Sequence, residues 1–551
     1  MLAGDGFGQR GVFGQRARER QGGQQRSREQ CSNSHWDSMD DRRQACECIK
    51  LSPMHSTRTS GQPMRAQVPW LVAWIFCSAI RAASADSGLR LDDCRLESAS
   101  VGGSVAARCG WYRVPENRDD PHGKELQLHV AVIPALRLKP AADPLFILSG
   151  GPGQAASDFY LSVAPAFARI RRDRDLVLID QRGTGRSNRL SCALPDDSAF
   201  ATLDPQKLQA LVRECRASLP GDPRYYTTSI AVRDLDDVRA ALGYTTVNLY
   251  GISYGTRVAQ HYMRRFPGRV RTAILDGVVP AEVALGPEVA IEAQHAIDSA
   301  LQRCARDTGC ARQFPQIPEQ FTALQERLRK EPVTVSIPHP VTGSLMTTRL
   351  DVARLGAAIR LLSYSDETVS TLPLLIHEAQ SLGEPQALAA QYLRVASDVE
   401  EQIAAGMHFA VVCSEDAPRW DQEQVSEAAL AKTYMGTAFM SGMRAVCAQW
   451  PRGPVDADFG KPLQSDVQTL VLSGTDDPVT PRRYADQLMK GLRNGRHMVA
   501  AGQGHGQLAN GCIPRLTAEF IAAGKTTGLD DACVRNIGPT PFMLSRSAPA
   551  P

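Results

Sequence analysis

The serine at the centre of Gly251-Ile252-Ser253-Tyr254-Gly255 follows the apolar run Val247-Asn248-Leu249-Tyr250 and precedes residues 256–266, which read as a helix ended by Pro267-Gly268. This spacing suits a tight strand-to-helix turn that lifts a hydroxyl onto the end of a sheet, with glycines letting strand and helix approach closely. The helix starting there points free N–H groups and its positive dipole end at charge forming nearby. A serine hydroxyl is a poor nucleophile at neutral pH and needs a base. His505, in Gly502-Gln503-Gly504-His505-Gly506 after a strand at 496–500, is the candidate. The orienting acid is expected in Gly474-Thr475-Asp476-Asp477-Pro478-Val479-Thr480-Pro481, after the strand at 469–472. Two acids compete. Asp477 is assigned because Pro478 fixes the turn after it and Thr480 can support the loop; an unused Asp476 reads as a turn former. A buried carboxylate there would hold the imidazole in one tautomer and stabilise its charged form.

An oxyanion formed at Ser253 needs two backbone donors. One is the N–H of Tyr254, next after the nucleophile; the other is expected from Ser149-Gly150-Gly151-Pro152-Gly153, with Gly151 as the candidate. Only glycines let backbone come so close to a substrate. No Gly-Lys-Ser/Thr follows this loop, which argues against phosphate binding. Taken alone, a turn serine or a loop histidine is usually structural. Their combination argues for nucleophilic catalysis that needs no metal or organic cofactor.

These residues need a rigid sheet behind them. Residues 126–133 alternate like a strand, and short apolar runs at 144–148, 176–179, 247–250, 272–275 and 469–472 suit strands buried on both faces. Helical patterns at 229–242 and 256–266 lie between them, so a doubly wound, mostly parallel α/β sheet is expected. From about 282 to 460 the chain reads mainly helical, as at 319–329 and 382–403, and strands resume at 469. A helical cap inserted between two late strands is therefore expected. The divisions are 1–63, an upstream extension that is disordered or foreign to the product; 64–85, a signal peptide; 86–281, the first part of the core; 282–460, the cap; 461–536, the second part of the core; and 537–551, a disordered tail.

Length and composition agree with this plan. The chain has 551 residues, 43% hydrophobic and 22% charged, with a formal net charge of +3. No basic stripe with interleaved aromatics points to nucleic acid. Residues 1–63 are rich in Gly, Gln, Arg and Ser without apolar periodicity. Met64-Arg65, the apolar run 68–77 and Ala82-Ala83-Ser84-Ala85 form the three parts of a secretory signal, too short for a stable membrane span. Translation is expected to begin at Met64 or Met54, and the product to be periplasmic or extracellular. Ten cysteines follow Ala85 and fall as five near-neighbour pairs. Disulfides suit an oxidising compartment, although sequence order does not fix connectivity. None has C-x-x-C spacing.

Together, Gly150-Gly151-Pro152-Gly153, Asp180-Gln181-Arg182-Gly183-Thr184-Gly185, Gly251-Ile252-Ser253-Tyr254-Gly255-Thr256, Asp477-Pro478-Val479-Thr480-Pro481 and Gly504-His505-Gly506 resemble the prolyl aminopeptidase and tripeptidyl aminopeptidase-like branch of α/β-hydrolases. The resemblance runs from about 90 to 535. It implies the α/β-hydrolase fold and a triad ordered Ser253, Asp477, His505 along the chain. It also implies a mainly structural Asp180 loop at the site edge. Ser149 departs from prolyl aminopeptidases, which usually carry histidine there. The implied activity is release of N-terminal residues or short peptides. Such an exopeptidase needs an anion for the substrate α-ammonium group, and Glu415, in Val412-Cys413-Ser414-Glu415-Asp416, is the candidate. An unpaired buried carboxylate would reject blocked N-termini. A carboxylic-ester hydrolase with the same triad is the alternative, so the substrate is a peptide or a small ester or amide. A non-catalytic binding protein on this fold predicts a missing triad member, and none is missing.

Overall fold

A computed structural model describes residues 89–98, 103–192, 205–339, 342–422 and 425–547. The upstream extension and the signal peptide lie outside them. Eleven strands occur among the described residues: β1 (Asp92–Glu97), β2 (Ser104–Pro115), β3 (Glu125–Ile133), β4 (Leu145–Leu148), β5 (Leu176–Ile179), β6 (Val247–Ile252), β7 (Val270–Asp276), β8 (Val333–Pro338), β9 (Leu345–Leu350), β10 (Gln468–Gly474) and β11 (Gly495–Ala500). Nine form one sheet in the order β1-β2-β3-β5-β4-β6-β7-β10-β11. From β5 to β11 the pairs are parallel, whereas β1, β2 and β3 pair antiparallel and β3 meets β5 antiparallel. The fold is that of an α/β-hydrolase.

Side chains alternate across the pleat, so one apolar run feeds two cores. Leu145 and Ile147 of β4, with Leu176 and Leu178 of β5, enter the layer that contains Leu516 and Phe520. Phe146, Leu148, Val177 and Ile179 enter the opposite layer, with Val232, Leu235, Val258 and Tyr262. Those last four residues come from helices α1 (Thr228–Ala241) and α2 (Tyr254–Arg265). Burial on both faces is why these strands read as continuous apolar runs.

The segment between β7 and β10 is mainly helical and has its own core, including Leu301, Leu324, Ile359, Leu375, Leu388 and Tyr434. Two of its helices bear on the site: α3 (Val352–Leu362) and α4 (Ala405–Val411). This segment also holds the β8–β9 hairpin, an addition to the helical reading. Val335 and Ile337 alternate inward there against Ala389.

The tail reading is corrected for residues 537–547; residues 548–551 lie outside the described residues. Residues 537–547 pack on the cap instead of lying free. Phe542 is buried in the cap core under the Arg303 guanidinium, 4.3 Å from the ring centroid. Arg546 makes a two-bond pair with Glu378 at 2.7 and 2.8 Å. One aromatic anchor and one arginine fork order a segment whose composition looks featureless. The ten cysteines close as neighbours: Cys94–Cys109, Cys192–Cys215, Cys304–Cys310, Cys413–Cys447 and Cys512–Cys533. No helix of the described residues is long and apolar enough to cross a membrane.

Candidate active site

Strand β6 ends at Ile252, and Ser253 turns into α2 with φ 54° and ψ −124°, in a region L-residues seldom occupy. The flanking glycines explain how the turn closes. A Cβ on Gly251 would meet the Gly255 carbonyl oxygen at 2.4 Å, and one on Gly255 would meet the Leu148 carbonyl oxygen at 2.2 Å. The turn is tied down by Ser253 N donating to Asp276 O at 2.9 Å and by Thr256 Oγ1 donating to Ser253 O at 2.6 Å.

The register of β4 against β6 pairs Leu148 with Gly251, which brings the glycine loop beside the serine. A Cβ on Gly150 would stand 3.1 Å from Ser253 Cβ and 3.7 Å from its Oγ. Gly151 has φ +108°, a conformation suited to glycine. Tyr254, as the first residue of α2, carries one of the N–H groups that a helix start leaves without an internal acceptor. Ser149 Oγ closes the loop by donating to Gln154 O at 2.6 Å. The cap seals it from above. Ala404 N donates to Gly153 O at 3.0 Å, and His408 Nδ1 donates to Pro152 O at 3.2 Å.

The structure brings Asp477 and His505 together. His505 Nδ1 donates to Asp477 Oδ2 at 2.8 Å. Asp477 Oδ1 accepts from Val479 N and Thr480 N at 2.8 Å each, and Thr480 Oγ1 donates to Oδ2 at 2.7 Å. Asp476 instead accepts from Thr475 Oγ1 at 3.1 Å, half-buried at the loop edge. Burial opposes ionisation of Asp477, but His505 and the Thr480 donors outweigh it and hold its carboxyl below the ordinary range. Burial likewise opposes a proton on His505, and the Asp477 charge outweighs it, raising the imidazole above its ordinary value.

Ser253 and His505 both flank the end of β7. Ser253 hangs on the Asp276 carbonyl, while a Cβ on Gly277 would come within 3.0 Å of His505 Cε1. Among the described residues Ser253 Oγ makes no hydrogen bond to His505 in this structure. Hydroxyl–imidazole contacts of this kind often tighten only when substrate is bound.

Asp276 was not legible as part of the site. Its buried carboxylate accepts from Gln507 N at 2.8 and 2.9 Å, Leu508 N at 2.9 Å and Tyr250 Oη at 3.0 Å. It thereby anchors the residues just after His505. Burial pushes this carboxyl up to about 6 against those donors. The Leu275-Asp276-Gly277 strand end was the available signal. In the Asp180 loop, Asp180 accepts from Ser157 N at 3.0 Å and Arg186 N at 3.2 Å.

Glu415 lies in a widened helical turn, Val412–Asp416, and is 3% exposed. Its oxygens accept from Thr228 N at 2.6 Å and Thr228 Oγ1 at 3.0 Å, at the start of α1. Thr228 Oγ1 also lies 2.6 Å from Tyr254 Oη, so the acid reaches the residue after Ser253 through two hydrogen bonds. Burial pushes the Glu415 carboxyl up to about 7, against the nearby Arg257 charge and the Thr228 N–H. Among the described residues no three His, Cys, Asp or Glu side chains gather as a metal site.

Comparison with known proteins agrees with the fold. A model of the alpha/beta hydrolase fold matches residues 143–361, and one described as TAP-like protein matches residues 432–533. Serine protease Hip1 of Mycobacterium tuberculosis strain H37Rv is 27% identical over 485 residues, 79% of this chain and 88% of that protein. Tripeptidyl aminopeptidase of Streptomyces lividans is 25% identical over 511 residues, 84% and 90% of the two chains. Carboxylesterase B of Mycobacterium tuberculosis strain CDC 1551 is 28% identical over 446 residues, 73% and 81%.

Proposed function

We propose that this chain, an α/β-hydrolase and a serine hydrolase with a TAP-like C-terminal part, is an exported aminopeptidase that releases N-terminal residues or short peptides by acyl transfer. The observation that carries the reading is the Asp477–His505 pair at the rim where Ser253 rises on its strained turn. With Nδ1–H given to Asp477, Nε2 is the acceptor. His505 takes the Ser253 proton as the hydroxyl attacks the scissile carbonyl. The N–H groups of Tyr254 and Gly151 hold the oxyanion. His505 then protonates the leaving nitrogen, and water, activated by the same imidazole, releases the acid from Ser253.

Glu415 is the anion proposed for the substrate α-ammonium. It is buried, linked through Thr228 to Tyr254, and a carboxylate has lone pairs beyond the two that Thr228 occupies. The relatives named as serine protease and tripeptidyl aminopeptidase favour a peptidase, and the one named carboxylesterase keeps ester hydrolysis as the second reading. Export is supported by the five disulfides.

The test is hydrolysis of aminoacyl and tripeptidyl amides with free and with acetylated N-termini, beside short-chain esters. An aminopeptidase turns over the free amides and rejects the acetylated ones. Indifference to acetylation, with faster ester turnover, overturns this reading. Ser253→Ala abolishes all turnover while keeping the fold; retained activity would remove the nucleophile assignment.

A further inference from the structure

Helix α3 brings a cation to the cap side of the site. Arg360 Nη2 donates to Tyr364 Oη at 3.2 Å, and the guanidinium carbon lies 5.7 Å from the ring centroids of both Tyr364 and Phe439. Tyr364 in turn touches the base. Its carbonyl accepts from His505 N at 2.6 Å, and its ring stands edge-on to the imidazole at 5.4 Å. Behind the larger effect of burial, the Arg360 charge opposes a proton on both His505 and His408. The guanidinium therefore lies within charge range of the base and of the side chain that braces the Gly151 loop.

Among the described residues this cation has no counter-charge in an ion pair, and its Nε–H is closed off from solvent without a protein acceptor. Nearby Tyr434, 4% exposed, also has a hydroxyl without a partner, and the Arg360 charge acts on it. Arg360 as a whole is half-buried, so its outer nitrogens can still meet a ligand, while the buried Nε–H and the Tyr434 hydroxyl are polar groups of a kind that is ordinarily satisfied. Two aromatic faces fix the plane of the fork, and a planar guanidinium fork matches a carboxylate in two-bond geometry.

We propose that Arg360, framed by Tyr364, Phe439 and Tyr434, is a specificity-determining residue that binds a substrate carboxylate on the leaving-group side of the scissile bond. The preferred substrates are then short peptides with a free C-terminal carboxylate. The side follows from Tyr364: it contacts His505, the group that protonates the leaving nitrogen, so this inference rests on the acyl-transfer reading above.

The test is calorimetric titration of the full-length Ser253→Ala protein with alanine peptides of two to four residues, each as free acid and as C-terminal amide. At one length or more the acid binds about tenfold tighter, the scale of a hydrogen-bonded charge contact. In Ser253→Ala/Arg360→Gln that preference disappears, and in Ser253→Ala/Arg360→Lys part of it returns. Equal or absent binding of acid and amide at every length overturns the proposal without recourse to any Arg360 variant. A preference unchanged by Arg360→Gln overturns it as well. Acid preference that survives N-terminal acetylation with undiminished affinity supports Arg360 while sinking the aminopeptidase reading, so the two fail separately.

Discussion

His505 Nδ1 lies 2.8 Å from Asp477 Oδ2, and the pair is packed so closely against the end of β7 that a methyl group on Gly277 would stand 3.0 Å from the imidazole Cε1. One carboxylate thus sets the tautomer of the base, and the missing side chain of Gly277 leaves room for its ring. Asp477→Asn keeps the shape and loses the charge. Its kcat is expected to fall about 10⁴-fold with the fold intact, checked by steady-state kinetics and circular dichroism.

The same pair sets the pH profile. His505 must be neutral to act as base, and Asp477 raises its pKa above the ordinary histidine value. Activity is therefore lost as pH falls through that raised value. The residual activity of Asp477→Asn should show its acid limb displaced to lower pH, because the charge that favours the proton is gone. A limb that stays in place would exclude His505 as the titrating group.

Glu415 makes a prediction for stability. Its carboxyl is raised to about 7 by burial. A carboxyl with a raised folded-state pKa favours the fold below its unfolded pKa, and that contribution is lost as pH rises through the folded value. Melting temperatures of wild type and Glu415→Gln should therefore diverge between about pH 4 and pH 8 (roughly spanning both pKa values), with wild type losing ground on the alkaline side. If Glu415 also receives the α-ammonium group, Glu415→Gln raises KM for free N-termini about tenfold or more.

Gly255→Ala tests the turn itself. The added Cβ would lie 2.2 Å from Leu148 O and 2.6 Å from Ser149 O, both backbone atoms that cannot rotate away. Overpacking of this sort costs about 1–3 kcal/mol or more. Chemical denaturation should show that loss, and activity should fall further than stability because the same shift moves the Gly150–Gly151 loop.

Phe542→Ala tests the docked tail. The ring is buried in the cap core, and truncations of this type cost about 3–5 kcal/mol. The melting temperature should drop clearly. An unchanged melting temperature would return residues 537–547 to the free tail that composition suggests.

Much of the core was legible because the parallel strands are covered on both sides. Runs such as Leu176-Val177-Leu178-Ile179 admit few other readings when glycine-rich turns and helical patterns alternate with them. Antiparallel β1 and β2 were missed because one side is partly exposed and their apolar content is diluted, as in Ser104–Pro115. The β8–β9 hairpin hid in a helix-rich stretch. Within the site, Asp477 could be preferred to Asp476 from Pro478 and Thr480, and the two acids do differ in burial and partners. Asp276 and Tyr364 escaped notice because they meet Gln507 and His505 across more than 100 residues of chain; Arg360 did because Tyr364 and Phe439, the rings beside it, come from two separate segments.

The stitching of residues 402–408 to the Gly150–Gly153 loop limits how a polypeptide can arrive. Gln154 bridges to Ile403, Ala404 holds Gly153 and His408 holds Pro152. Raising the roof here would also disassemble the cradle proposed for the developing anion. On the peptidase reading proposed above, entry that leaves these three seams shut favours a slender, unstructured end over a folded globule.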